Sequence, residues 1–203
     1  MGSTIIRKSN PKDLEDIAKL IYYTEKYPNE EWGGTCKEEC YNNIKKLINS
    51  KGTRYSYNYI WVAEKDEKVL GIIILIPFNK LNKLTFKTSL ITTQLLKGIG
   101  NKVEYVLSSI EYLIFKEYVR GTLYVSNIAT YPNSRGGGIG KILMNFAEKK
   151  SKDLGYKGVS LIAKSEEVSN FYKKLDYKKI FDKNVFGEQI IKMEKMISIL
   201  ILE

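Results

Sequence analysis

The chain is 203 residues long, and a length of this order predicts about one domain. With 43% hydrophobic and 28% charged residues, its composition is that of a globular protein with a buried core. It carries a formal net charge of +10 at pH 7 and contains no histidine, which excludes serine–histidine or cysteine–histidine catalysis and every histidine-ligated metal.

The first 50 residues predict a short strand and two helices. A strand at 4–8 precedes Asn10 and Pro11, which suit the N-cap and the first position of a helix. After an irregular stretch, Thr35 and Glu38 have the spacing of a capping box for the second helix.

Two cysteines, Cys36 and Cys40, lie four residues apart in this second helix and therefore on one face of it. We expect small buried hydrophobes there, in preference to a disulfide or half of a zinc site. No metal is expected elsewhere in the chain.

The middle of the chain predicts a β-hairpin. Residues 60–64 and 69–76 are rich in β-branched and aliphatic residues and flank a polar turn. Pro77 ends the second strand.

The most informative stretch is 123–154, where a strand, a glycine-rich loop and a helix follow one another. Residues 123–130 predict a strand, and apolar residues at helical spacing predict a helix from Ile139 onward. The loop at 135–141 reads Arg-Gly-Gly-Gly-Ile-Gly-Lys. Glycines let a ligand approach the backbone, and the first helix amides carry partial positive charge. This arrangement predicts an anion site for a phosphate-bearing ligand.

The last 50 residues predict a strand at 158–163, a short helix at 166–174 and two strands at 177–181 and 189–197. An apolar tail at 199–202 forms either a final strand or a surface that faces a partner.

Two common phosphate-binding motifs do not fit the loop. A Walker loop would need a glycine at Arg135, and the dinucleotide fingerprint would need one at Lys141 or Leu143. Arg135, Gly138 and Gly140 do fit the pattern Arg/Gln-x-x-Gly-x-Gly/Ala. A glycine-rich surface turn without a ligand is the alternative interpretation.

This pattern resembles the pyrophosphate-binding motif of the GNAT superfamily of acyl-CoA-dependent N-acyltransferases, and the order of elements over 4–197 is similar to that family's. The resemblance implies an α/β (α+β) fold with a mixed, mostly antiparallel twisted sheet flanked by helices, in a single domain 1–203. It also implies acetyl-CoA as co-substrate.

The resemblance assigns the donor site residue by residue. The backbone of Ile128, Ala129 and Thr130, at the end of the central strand, is expected along the pantetheine arm, where a local bulge frees an amide for the thioester oxygen. The pyrophosphate is expected in the loop, at Arg135, Gly136, Gly137, Gly138, Ile139, Gly140 and Lys141.

A second stretch, 165–177, resembles the family's Asn-x-x-Ala-x-x-Leu-Tyr-x-x-x-Gly-Phe signature. Tyr172 matches the tyrosine that commonly donates a proton to the departing CoA thiolate, a role that suits a phenol. A tyrosine merely packed under the helix is the alternative. Ser165 stands where the family has an asparagine that contacts the cofactor, and it is expected to take that contact. Asp176 replaces a glycine whose left-handed conformation Asp adopts less readily.

The general base is left open. Many members carry a carboxylate on the central strand, but 123–130 contains neither Asp nor Glu. Glu30 or Glu31, between the first two helices, or solvent alone are the candidates.

The segment 78–121 departs from the family, which usually has a short turn there. Residues 84–96 are rich in threonine and ambiguous, whereas apolar residues between 103 and 114 predict a helix begun by Asn101. Long connections usually form a lid, a binding wall or an oligomer contact, and a homodimer is among the expectations. By the family topology this helical insertion lies beside the acceptor mouth.

We therefore expect an N-acetyltransferase that moves an acetyl group from acetyl-CoA to a primary amine of a small molecule or peptide, by direct attack in a ternary complex. A non-catalytic acyl-CoA-binding or sensing module is the alternative, because the strand carboxylate is missing. The net charge is the one observation that favours a nucleic-acid-binding protein. The lysines occur singly or in pairs, however, and no specific nucleic-acid partner is expected.

The chain has no run of 18 apolar residues, and its N-terminus lacks the apolar core of a signal peptide. We therefore expect a cytoplasmic protein without a membrane partner.

Overall fold

A seven-stranded sheet forms the centre of the protein in a computed structural model that describes residues 2–98, 102, 103, 105, 107, 115–185 and 188–197. The strand order is β1-β2-β3-β4-β5-β7-β6, and within this sheet only β4 and β5 run parallel. The predicted mixed, mostly antiparallel sheet is confirmed. The strands are Ile5–Lys8 (β1), Ile60–Lys65 (β2), Lys68–Pro77 (β3), Thr122–Thr130 (β4), Gly158–Ala163 (β5), Lys178–Val185 (β6) and Glu188–Met196 (β7).

Helices cover both faces of the sheet. None that lies within the described ranges is long and apolar enough to cross a membrane. The helices are Leu14–Tyr22 (α1), Pro28–Trp32 (α2), Lys37–Asn49 (α3), Phe78–Leu95 (α4), Ile139–Asp153 (α5) and Glu166–Lys173 (α6).

Strand β3 shows how the core is divided. Its side chains alternate, so that Ile72, Ile74 and Ile76 enter the cluster beneath α1, α3 and α4, whereas Ile73 and Leu75 enter the cluster beneath α5 and α6. All five side chains are almost fully buried. A strand covered on both faces reads as a continuous apolar run, which is why the sequence here lacks the usual polar alternation.

The ambiguous stretch 84–96 belongs to a helix, because α4 begins directly after Pro77 and ends at Leu95. Its inward face carries threonines beside Leu81 and Leu84, and Thr85, Thr88 and Thr92 are all buried. This polar inner face hides the helical period of the apolar residues.

Part of the helix predicted through 103–114 is seen, since residues 103, 105 and 107 are helical. The other predicted positions of that helix, including its proposed cap Asn101, lie outside the described residues, as does the apolar tail 199–202.

The start of α1 is as predicted, with one modification. Asn10 and Asp13 form a reciprocal capping box, and a short 3-10 turn at Pro11–Asp13 precedes the α-helix. The side chain of Asn10 accepts the N–H of Lys12 at 2.9 Å, and Asp13 accepts the N–H of Asn10 at 2.8 Å.

The capping box predicted from Thr35 and Glu38 is wrong. Helix α3 starts at Lys37 with Cys36 as N-cap, and it is Glu39 whose carboxylate accepts both the N–H and the hydroxyl of Thr35, each at 2.8 Å. Because the helix starts two residues after Thr35, the carboxylate that accepts from Thr35 belongs to Glu39, four residues later, and not to Glu38. Cys36 is consequently exposed, contrary to expectation, whereas Cys40 is buried; both thiols are free.

Helix α6 ends in a left-handed residue, as the family signature requires. Asp176 has φ +67°, the N–H of Tyr177 donates to the carbonyl of Tyr172 at 3.1 Å, and the N–H of Asp176 donates to that of Lys173 at 3.0 Å. These are the two hydrogen bonds of a Schellman motif, in which glycine is usual at the position of Asp176. The turn is therefore kept, at the cost of some backbone strain.

We expect Asp176→Gly to raise the free energy of unfolding by about 0.5–1 kcal/mol, because glycine adopts a positive φ without a Cβ clash. For a chain of this length, the melting temperature should rise by about 1–4 °C. Asp176→Asn is the control for charge, since Asn also tolerates φ +67° and the exposed ion pair with Lys195 at 3.9 Å contributes little. A glycine variant that melts below the wild type would show that this turn is unstrained.

Candidate active site

The sheet opens between β4 and β5. These strands pair in parallel only from Thr122 with Gly158 to Val125 with Leu161. Beyond that point β4 continues to Thr130 and pairs with β3 alone, while the end of β5 pairs with β7. The edge of β4 that faces β5 thus offers backbone N–H and C=O groups that no described strand takes up, and an extended ligand could add there as a strand does.

A β-bulge lies at the start of this opening. Ile74 pairs with Asn127 and Leu75 with Val125, so that Ser126 is the extra residue of β4. A bulge was expected from the family resemblance near Ile128, and the one observed lies two residues earlier. Bulges leave a residue unpaired and turn the strand away from its neighbour, which accounts for the opening.

The glycine-rich loop lies between β4 and α5. Gly136 and Gly138 have φ of +79° and +75°, and a Cβ added at either would meet no atom within 4 Å. Helix α5 has Gly138 as its N-cap and no side chain capping its first turn. Arg135 and Lys141 are both exposed. The loop therefore has an open cradle of backbone amides with two cations beside it, which fits an anion such as a pyrophosphate.

Packing within the protein explains the residue type at two of the predicted loop positions, Ile139 and Gly140. Ile139 points into the core and is 6% exposed. A Cβ at Gly140 would come within 3.2 Å of the Phe171 ring, so a glycine here lets α5 pack against α6. Only the backbone of these two residues is available to a ligand.

Tyr172 lies on α6 in the cluster beneath α5 and α6, which Ile128 of β4 also contacts. Its side chain is 4% exposed, and its ring centroid is 5.1 Å from that of Phe171 and 5.9 Å from that of Tyr177. Burial raises the pKa of the Tyr172 phenol well above its ordinary value, so the hydroxyl stays protonated at neutral pH. Among the described residues, no hydrogen bond engages that hydroxyl.

Ser165, expected at the cofactor, is the N-cap of α6. Its hydroxyl oxygen accepts the N–H of Val168 at 3.2 Å. This contact gives the serine a local role at the start of the helix that carries Tyr172.

Sequence patterns missed a buried ion pair behind the bulge. The Nη1 and Nη2 atoms of Arg54 lie 2.8 and 3.0 Å from the two carboxylate oxygens of Glu117. The same guanidinium donates to the Ser126 hydroxyl from Nη2 at 2.9 Å and from Nε at 3.3 Å. The hydroxyl of Tyr124 donates to Glu117 at 2.9 Å, and burial together with that carboxylate raises the pKa of Tyr124.

One signal in the sequence could have pointed to this pair. The chain has only four arginines among 33 basic residues. When lysine supplies nearly all of the positive charge, an arginine can mark a position that needs the planar fork of a guanidinium.

The segment after α1 lies across the open ends of β4 and β5. The Nδ2 of Asn127, on β4, donates to the Thr24 hydroxyl at 3.2 Å. Lys164, which follows β5, donates to the Thr24 carbonyl at 2.9 Å and to the carboxylate of Glu25. The side chain of Glu25 is 17% exposed. A carboxylate that the sequence did not single out is thus held near the opening.

The two predicted base candidates lie farther along the same segment. Glu30 is exposed and lines a depression of about 260 Å³ with Tyr22, Lys26 and Tyr27. Glu31 is half-buried, and its charge adds to the effect of burial in raising the pKa of Tyr55. No hydrogen bond between either carboxylate and the bulge is seen in the described part of the chain.

Within the described ranges, no group of three or more carboxylate and cysteine side chains is placed to hold a metal ion.

Comparison with known proteins identifies the family. The sequence profile of the acetyltransferase (GNAT) domain matches residues 56–179, more than half of the chain. A search of curated protein sequences found no significant match.

Solved structures share the fold. An N-acetyltransferase from Staphylococcus aureus Mu50 superposes with a TM-score of 0.73 at 23% identity, over 94% of this chain and all of the other. A structure described as an acetyltransferase gives 0.69 at 19% identity, over 96% of this chain and 100% of the other. An agmatine N-acetyltransferase mutant gives 0.55 at 13% identity, over 96% and 99%.

The domain match spans the opened sheet, the glycine loop and Tyr172, and the fold is that of the solved acetyltransferases. The chain therefore belongs to the GNAT family and is an acetyltransferase.

Proposed function

We propose that the protein transfers an acetyl group from acetyl-CoA to a primary amine of a small molecule or peptide, with both substrates bound together. The observation that carries this proposal is the opening between β4 and β5, which begins at a bulge and continues into the glycine loop. One continuous stretch of chain thus offers an anion cradle and a free strand edge, the two features that a CoA ester needs.

The donor would be held chiefly by backbone. The amides of 136–141, with Arg135 and Lys141 beside them, would bind the pyrophosphate. The free edge of Ile128, Ala129 and Thr130 would pair with the amide groups of the pantetheine arm. Side-chain identity matters little for such contacts, except where glycine is required by a positive φ.

In the reaction, the amine nitrogen attacks the thioester carbonyl carbon, the new C–N bond replaces the C–S bond, and the amine loses a proton while the thiolate gains one. Backbone freed by the bulge at Ser126 would stabilise the charge that develops on the carbonyl oxygen. Tyr172, protonated and without a partner among the described residues, would give its proton to the sulfur.

The proton of the amine needs an acceptor near the opening. Glu25 is placed better than the predicted Glu30 or Glu31, because Thr24 links it to Asn127 of β4. The Thr24 hydroxyl accepts from the Asn127 amide at 3.2 Å, and its one proton lies between the Ile21 carbonyl at 2.7 Å and a Glu25 oxygen at 3.1 Å. An acceptor amine bound between this segment and the bulge would lie within reach of the carboxylate, directly or through water.

The alternative, a non-catalytic acyl-CoA-binding module, is favoured by the absence of a carboxylate on β4 and by the ion pair that holds Glu25 to Lys164. A screen separates the two functions. It would measure free thiol released from acetyl-CoA with a polyamine, an aminoglycoside, an amino acid and a peptide N-terminus. Turnover of one of these acceptors supports the enzyme, and binding without turnover supports the module.

Binding of the acetyl donor can be tested by thermal unfolding. Acetyl-CoA at about 100 times its Kd should stabilise the protein by roughly 2.7 kcal/mol, which raises the melting temperature by about 5–10 °C. CoA should act similarly and pantetheine should not, because the pyrophosphate supplies the anion contacts. An unchanged melting temperature at millimolar acetyl-CoA would contradict the assignment of the loop.

The second prediction tests the loop itself. Gly138→Asp should raise the Kd for CoA by about 100-fold or more, because a carboxylate would face the pyrophosphate. Gly155→Asp is a matched control. Gly155 also has a positive φ, +73°, with open space around an added Cβ, but it follows the other end of α5, roughly 22 Å away. Isothermal titration calorimetry of both variants would measure the difference. Equal affinity in the two would place the pyrophosphate elsewhere.

The third prediction concerns Tyr172. Tyr172→Phe should lower kcat roughly 10- to 1,000-fold and leave the Kd for acetyl-CoA nearly unchanged, because it removes the proton donor but keeps the ring. Tyr177→Phe, in the same cluster, should leave kcat near that of the wild type. If both variants turn over like the wild type, Tyr172 has only a packing role.

A further inference from the structure

The ion pair of Arg54 and Glu117 is connected to the proposed reaction centre by a single hydroxyl. The side chains of Arg54 and Glu117 are 14% and 9% exposed, and the guanidinium and the carboxylate are joined by two parallel hydrogen bonds. The Ser126 hydroxyl receives two further N–H groups of the guanidinium. Ser126 is the extra residue of the bulge, so the arginine contacts the one position between Leu123 and Thr130 that has no partner on β3.

The guanidinium is held from several directions. Glu117 itself is fixed by the Tyr124 hydroxyl, and the Arg54 side chain also donates to the Thr85 hydroxyl at 3.4 Å. The backbone N–H of Arg54 donates to the Thr88 hydroxyl at 2.9 Å. Every nitrogen of the fork is thus engaged, and the group that points at Ser126 has little freedom to move.

Most of these partners come from the segment 78–121. Thr85 and Thr88 lie on α4, and Glu117 lies just before β4. This segment was expected beside the acceptor. Its contacts show that it also reaches the donor side of the site, through the guanidinium.

A buried ion pair is weak evidence of stabilisation, because an apolar replacement of similar volume is often as stable. An arginine side chain fixes the direction of its hydrogen bonds, which an aliphatic side chain cannot do. Among the described residues, Arg7 also makes a two-pronged contact, with both oxygens of Asp13 at 2.8 Å, but it lies at the β1 edge of the sheet and pairs with Glu64 as well. The two pairs can therefore be compared.

We infer that Arg54, oriented by Glu117, is a positioning residue that holds the β4 bulge at Ser126 in the form that receives the thioester carbonyl. This inference rests on the proposed function. It assigns to the segment 78–121 a role in the reaction centre beyond any contact with the acceptor.

The experiment uses acetyl-CoA labelled with ¹³C at the carbonyl, so that no acceptor amine is needed. In the wild type, a hydrogen bond from the bulge should lower the carbonyl stretching frequency of bound acetyl-CoA relative to the free ester. Ser126→Ala removes the link but keeps the ion pair, and Glu117→Gln weakens the orientation of the fork. Both variants should lose most of the frequency shift while their Kd for CoA stays within about threefold of the wild type.

Asp13→Asn is the control, since it weakens an arginine–carboxylate pair away from the opening and leaves Arg7 its second partner, Glu64. It should keep the full frequency shift, even if its melting temperature falls. If Ser126→Ala retains the wild-type shift, or if Asp13→Asn loses it as well, the positioning role is wrong. If the wild type binds CoA but shows no shift, the bulge does not contact the carbonyl and the inference falls alone. A wild type that fails to bind CoA would overturn the proposed function first.

Discussion

The parallel pairing of β4 and β5 lasts for four residues, and the rest of the site depends on where it stops. Up to Val125 the side chains of β4 are buried, and Ser126 follows as the extra residue of the bulge. A bulge rotates the strand after it, so β4 leaves β5 while it remains bonded to β3. The opening is therefore a consequence of one extra residue in β4. This residue also determines where the free edge of β4 and the glycine loop after it lie.

The two sides of the site are built in different ways. The proposed donor side would consist mainly of backbone from consecutive residues, where Gly136 and Gly138 are favoured by their positive φ. The proposed acceptor side would be assembled from side chains of distant segments. Thr24 and Glu25 follow α1, and Lys164 follows β5. In a chain without histidine, proton transfer would fall to a buried phenol and a carboxylate.

This difference also explains what could be predicted from the sequence. The glycine loop, the hairpin and the left-handed Asp176 each depend on neighbours within a few residues. Local patterns indicated the first two, and the family resemblance indicated the third. Arg54 and Glu117 are 63 residues apart, and their pairing depends on how α4 packs, which the threonine-rich inner face of α4 concealed. The predicted capping box was wrong for a more local reason. Helix α3 starts at Lys37, two residues after Thr35, and Glu39 accepts from Thr35 where Glu38 was expected to do so.

The position of Glu117 has a consequence for how such a chain can change during evolution. Arg54 lies before β2, whereas its carboxylate partner comes from the long segment between β3 and β4. A deletion that restored a short turn between β3 and β4 would leave a buried guanidinium without a counter-charge, which is strongly destabilising. The segment and the arginine can therefore be lost only together. The segment is tied to the interior at two places, through Thr85 and Thr88 on α4 and through Glu117 just before β4.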